Sequence, residues 1–140
     1  MRLQKATRCA LFAVLDLARD PERQVSAADI AEKYGISAHH LSKVLRDLAR
    51  AGLVQSMRGA GGGYQFTGNM SRTTLFDVIS LFENISNEAG GRPEAGDDSE
   101  IGRALGMVLN EIDEIAVSTL KSITLTTLLR LIERNAKGAN

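Results

Sequence analysis

The segment from Ser26 to Tyr64 constrains the fold more than any other part of the chain, because two short amphipathic patterns, a glycine corner and a glycine-tipped pair of extended runs follow one another without a gap. Val25-Ser26-Ala27-Ala28-Asp29 starts a helix: the Ser26 hydroxyl is placed to cap the first free amides, and Asp29 lies at the positive end of the helix dipole. Ile30, Ala31 and Tyr34 supply its buried stripe, and Gly35 offers the left-handed corner that a tight turn between helices requires. Ser37 caps the next helix, which the spacing predicts over Ala38 to Ala51, with Leu41, Val44, Leu45 and Leu48 inward and Gly52 just past the end. Leu53 to Arg58 and Tyr64 to Thr67 are extended runs that bracket the glycines, which predicts a hairpin. The order predicts a mainly α fold with one small β-hairpin, a winged helix-turn-helix.

The flanks complete a three-part organisation: a winged head over residues 1–84, a flexible loop over 85–100 and dimerisation helices over 101–136. Ala10, Leu11, Val14, Leu15, Leu17 and Ala18 recur at helical steps, predicting a first helix from Thr7 to Arg19 that stops before Asp20-Pro21. Ser71 to Thr74 offer caps for a helix carrying Leu75, Val78, Ile79 and Phe82, expected to pack on the first. From Glu88 to Ser99 the chain turns to Gly, Pro, Ala and acidic residues, too poor in apolar surface to order itself. Beyond it Ile101, Leu105, Val108, Ile112, Ile115 and Thr119 step alternately by four and three, flanked by Leu109, Ala116 and Ile123. Such a seam fits the same helix of a second chain, because a dyad lets one stripe bury itself against its copy; packing inside one chain is the alternative. A last helix is expected over Leu125 to Ile132, ahead of a polar tail from Arg134 to Asn140.

The formal net charge is zero, yet its distribution is uneven: residues 1–60 carry 10 Lys+Arg against 6 Asp+Glu, and the remainder carries 7 against 11. A basic front and an acidic rear suit a particle that turns one end to phosphates. No apolar run reaches the roughly 18 residues that span a bilayer, and no signal-peptide core is recognisable, so a cytoplasmic protein without membrane contact is expected. The single cysteine, Cys9, excludes an intramolecular disulfide and any all-cysteine metal site within one chain.

On this reading the outer face of the second helix of the motif is a candidate surface for double-stranded DNA. His39, Ser42 and Lys43 lie on its early turns, where recognition helices meet base edges. Arg46, Arg50 and Lys33 suit phosphate, which fixes position without reading sequence. Arg58, at the base of the glycine tip, fits a narrow minor groove. Gly61 and Gly62 let backbone approach the duplex, and Tyr64 orients the wing by packing. Arg2 and Thr7 add phosphate contacts.

Met1-Arg2-Leu3, Ala27-Asp29-Ile30-Ala31, Ile36-Ser37, Leu41, Leu45, Leu48, Ala51-Gly52-Leu53-Val54 and Arg58-Gly59-Ala60-Gly61-Gly62-Gly63-Tyr64 together resemble the IscR/NsrR-type regulators, the Rrf-two family of bacterial transcription factors. The resemblance spans nearly the whole chain and is most specific at the Gly-Leu-Val and Arg-Gly-x-Gly-Gly-Gly-Tyr stretches. It implies a homodimeric winged helix-turn-helix protein, usually a repressor acting on a palindromic operator, with the long rear helix as dimer core. The best-known branch holds an iron–sulfur cluster on three cysteines in the loop before that helix. Here Glu88 to Ile101 contains no cysteine, and Arg8 and Phe12 do not replace the acidic or imidazole ligands that some relatives use. A cluster needs thiolates or comparable donors, so the expected cofactor is none.

Other chemistries find little footing. In a dinucleotide fingerprint begun at Gly59 the last glycine would fall on Tyr64, with no helix following, and no Walker Lys is present. His39 and His40 are adjacent and therefore point to different helix faces, which argues against a shared metal site. No nucleophile–base or paired-carboxylate constellation suggests an enzyme. Cys9, in a helix rich in Ala and Leu, reads as a small buried hydrophobe; its rival reading is a redox-sensing thiol that is oxidised or pairs with the same residue of a second chain. A protein-interaction module that docks a partner enzyme through the acidic rear is the alternative from another class. Whether a small-molecule or protein effector binds between head and long helix, where helical bundles often leave a pocket, is left open by the sequence.

Overall fold

The computed structural model of the chain describes residues 1–59, 62–85 and 94–138. Helix α1, Lys5–Ala18, turns Ala10, Ala13, Val14 and Leu17 fully inward. It starts two residues earlier than its apolar pattern because a distant carboxylate tends its free end: Glu83 Oε2 accepts from the Gln4 amide at 2.9 Å and from the Thr7 hydroxyl at 2.5 Å. A negative charge at a helix N-terminus is favourable. Thr7 is wholly buried by this contact and is not available to phosphate, which corrects its expected role.

Helices α2, Ala27–Tyr34, and α3, Ala38–Arg50, follow with the caps the sequence proposes: the Asp29 amide donates to Ser26 Oγ at 3.0 Å and the His40 amide to Ser37 Oγ at 3.4 Å. Gly35 closes α2 at φ 64°, a left-handed conformation that a side chain would strain. Leu41, Val44, Leu45 and Leu48 are buried against α1, each contributing about 1.5–3 kcal/mol of apolar burial.

Strands β1, Val54–Met57, and β2, Gly63–Phe66, pair antiparallel with Val54 opposite Phe66 and Met57 opposite Gly63. The hairpin is pinned to the head from outside. Tyr64 and Val25 exchange backbone hydrogen bonds of 2.7 and 2.9 Å, and the Gln65 side-chain Nε2 donates to the Pro21 carbonyl at 2.8 Å. Val25 lies so close that a Cβ on Gly63 would stand 2.5 Å from its carbonyl oxygen.

Thr74 caps α4, Leu75–Ile79, in a reciprocal box with Asp77, and α4 packs on α1 as expected. Residues 86–93, half of the expected loop, lie outside the described residues, while residues 94–99 form a turn in which Ser99 caps α5, Glu100–Ser122. After a corner, α6 runs Leu125–Gly138, six residues beyond the predicted end at Ile132. Its start belongs to the head: Leu125 is fully buried in the core, Leu128 and Leu129 pack on it, and the Leu125 and Thr126 amides donate to the Thr73 and Met70 carbonyls. The start of the last helix thus packs into the core of the winged head. Among the described residues no helix is long and apolar enough to cross a membrane.

One buried charge ties the first two helices together. Asp16, on the inner side of α1, accepts from Lys33 Nζ at 2.6 Å and Tyr34 Oη at 2.5 Å and pairs with Arg23 at 3.2 Å. Lys33 thus has an internal partner while its side chain stays half-exposed at the surface. Burial pushes the Asp16 carboxyl up, but the bonds from Lys33 and Tyr34 and the charges of Lys33 and Arg23 outweigh it and hold it below its ordinary value.

Because the folded value lies below the unfolded one, the stabilisation is complete above the unfolded value and disappears as pH falls through the folded one. Asp16→Asn should cost about 2–3 kcal/mol at neutral pH, toward the lower end for a buried pair because both cations stay half-exposed. Urea unfolding should show the wild-type and variant curves converging in acid below the ordinary carboxylate value of 3.8. A pH-independent gap would show that the ionised form contributes nothing. Gly63→Ala should cost about 1–3 kcal/mol, since the backbone of Val25 cannot step aside, and should weaken hydrogen-exchange protection of the Tyr64 amide. Unchanged protection would mean the hairpin holds its place without that contact.

Candidate nucleic-acid interface

The surface that α3 leaves outside is cationic along one line. His39, Lys43, Arg46 and Arg50 recur at steps of four, three and four, which sets them on one helical face, and all four are exposed. The inner leucines fix the roll of the helix, so burying them presents this stripe. Among the described residues Lys43 and Arg46 make no ion pair. Arg50 lies 3.6 Å from Asp47, an exposed contact worth little. Ser42 is half-buried, and its hydroxyl donates to the Ala38 carbonyl at 2.9 Å, leaving its lone pairs as what it can offer a base. His40 turns the other way, half-buried, with Nε2 enclosed and unpaired.

Arg58 is exposed directly after β1, at the base of the hairpin tip. Gly61 lies outside the described residues. Gly62 donates to the Gly59 carbonyl at 2.8 Å and so closes the turn. Tyr64 is half-buried on the core, with its backbone bonded to Val25, a placement that orients the wing. Cys9 is 4% exposed within the core, the environment of a packed hydrophobe.

Arg2 is exposed in the segment before α1 and shares one concave surface with Lys5 and Arg8. These last two did not figure in the DNA surface read from sequence, although the spacing 2, 5, 8 would have signalled a common face. Arg8 also stands 5.4 Å over the Phe12 ring, which stacks on Tyr34 at 5.4 Å and 6°. The Asp16 cluster was missed too. Its signal is an aspartate set inside the apolar stripe of α1.

Known proteins share this fold. The Rrf2 family, described as an iron-dependent transcriptional regulator, matches residues 3–131. BadM of Rhodopseudomonas palustris, which bears the description of an HTH-type transcriptional regulator, is 56% identical over the whole of this chain and 93% of its own length. The HTH-type transcriptional regulator IscR of Xenorhabdus nematophila is 34% identical, over 93% of this chain and 80% of that protein. Among solved structures, CymR, the global cysteine regulator of B. subtilis, superposes with a TM-score of 0.77 at 29% identity, covering 94% of this chain and 98% of its own. IscR of T. potens does so with 0.77 at 26%, covering 96% and 90%. With the helix-turn-helix, the hairpin wing and the cationic stripe in place, the chain belongs to the Rrf2 family of DNA-binding transcriptional regulators.

Proposed function

We propose that the chain is a homodimeric repressor that binds a palindromic operator without an iron–sulfur cluster, in the cytoplasm, and is not an enzyme. The observation that carries the dimer is α5. Of its 23 residues only Leu120 is buried, while Ile101, Leu105, Met107, Val108, Leu109, Ile112 and Ile115 are 55–76% exposed, and Thr119 continues the line. A stripe of that length at alternating four and three steps suits its own copy. Two heads joined in this way read two half-sites about 34 Å apart. In this reading Lys43 with His39 and Ser42 meets bases, Arg46, Arg50 and Arg2 meet phosphates, Arg58 enters the minor groove, and the glycines of the tip, Gly61 and Gly62, let backbone approach phosphate. Repression follows the resemblance to IscR/NsrR-type regulators.

The family description names iron, but the donors of this chain do not fit a cluster. Its one cysteine is enclosed in the core, and a cluster needs several thiolates or comparable ligands. The same burial weighs against Cys9 as an accessible redox sensor.

The test is binding to an operator selected from genomic fragments, followed by fluorescence anisotropy across a salt series. Affinity should fall steeply as salt rises, because phosphate contacts release counterions. Arg58→Ala should weaken binding by about 1–3 kcal/mol and leave the dimer intact; an unaltered operator affinity would remove Arg58 from the interface. Ile112→Glu should convert the dimer to monomers in sedimentation while retaining the fold of the head, since the charge falls in the middle of the seam. A stable Ile112→Glu dimer would place the interface elsewhere.

A further inference from the structure

A cleft of about 480 Å³ opens where the C-terminal end of α1 faces α6, within the size range of small-molecule sites. Its apolar lining comes from Ala18, Pro21, Met70 and Leu129, and its cations are Arg19 and Arg130, one from each wall. Among the described residues neither guanidinium makes an ion pair, although each is free to reach a carboxylate with a planar fork. Glu133 stands on the same rim, one turn beyond Arg130, so the three charges leave the cleft one positive unit in excess. Thr126 adds a hydroxyl.

The walls are built before anything binds. The Thr126 amide donates to the Met70 carbonyl at 3.0 Å, the Leu125 amide to the Thr73 carbonyl at 2.9 Å, and Thr74 and Thr124 form a backbone bridge. These bonds hold the start of α6 against the segment preceding α4, while the opposite wall is the end of the helix on which α3 packs. We propose that this cleft binds a small organic monocarboxylate, apolar body on Met70 and Leu129 and carboxylate on Arg19 and Arg130, and that occupancy changes the affinity of the reading head for DNA. A dianion is disfavoured by Glu133, and an uncharged molecule leaves both guanidiniums unused.

The coupling follows from position and rests on the DNA-binding dimer proposed above. The cleft lies between the helix that seats α3 and the helix that continues from α5. A ligand that prefers one separation of those walls biases how the two heads are held, and by linkage DNA and ligand affect each other's affinity reciprocally.

The probes are hexanoate and cyclohexanecarboxylate, with hexan-1-ol as the uncharged control, titrated calorimetrically into the full chain without DNA. At least one carboxylate should bind saturably and the alcohol should not, and Arg130→Ala should weaken the carboxylate about tenfold or more. Amide exchange should slow at the end of α1 and the start of α6, and the bound carboxylate should shift operator affinity in the wild type but not in Arg130→Ala. No saturable carboxylate binding, or equal binding by the alcohol or by Arg130→Ala, overturns the site. Binding with an unchanged operator affinity overturns the coupling. Operator binding by Arg130→Ala without probe separates these failures from failure of the DNA reading, because that variant should bind the operator as the wild type does.

Discussion

Everything in the head is placed by the apolar face of α1. α3, β2, α4 and α6 all pack on this helix, and its innermost residues, Ala10, Ala13, Val14 and Leu17, are fully enclosed. The two small residues among them, Ala10 and Ala13, let the neighbouring backbones come close, and a closely packed interior transmits displacement rather than absorbing it. The orientation of the cationic stripe is therefore a property of the core. Leu41, Leu45 and Leu48 can be buried in only one roll of α3, and that roll sends His39, Lys43, Arg46 and Arg50 outward.

Polar contacts add direction to this burial. An apolar face fixes that α1 and α2 meet but tolerates sliding; the Asp16 carboxylate, held by Lys33, Tyr34 and Arg23, does not. Glu83 does the same at the other end of α1 by taking the Gln4 amide and the Thr7 hydroxyl. The first turn of α1 is consequently tied to the segment that follows α4. Arg2, Lys5 and Arg8 surround that tied end, so the cations are carried on a fixed support rather than on a loose terminus.

What was legible in the sequence is what depends on near neighbours. Ser26, Gly35 and Ser37 act within three residues along the chain, and each sits where spacing alone puts it. The helix α5 and its apolar stripe were legible for the same reason, since periodicity is local. The partners of Thr7 and Lys33 were not legible because they are remote: Glu83 lies 76 residues from Thr7, and Asp16 lies 17 from Lys33. A hydroxyl or an ammonium near a basic surface looks like a phosphate ligand until an internal acceptor is seen. The end of α6 was hidden differently. Once Leu125 docks in the core the costly first turn is secured, and residues of ordinary propensity propagate the helix through Arg134 and Lys137 to Gly138.

The glycines of the wing show how a motif can carry two constraints at once. Read as a DNA element, they clear space for a phosphate backbone. Within the fold, Gly63 is required because Val25 runs beside it, and Gly62 closes the turn onto Gly59. The close approach at Val25 adds a backbone partner to the hairpin edge, and an isolated two-stranded hairpin is marginal in water. The wing thus derives its stiffness from the segment that leads into α2. Because the same segment is tied to Asp16 through Arg23, and α2 through Lys33 and Tyr34, the wing and α2 are both referred to one buried charge on α1.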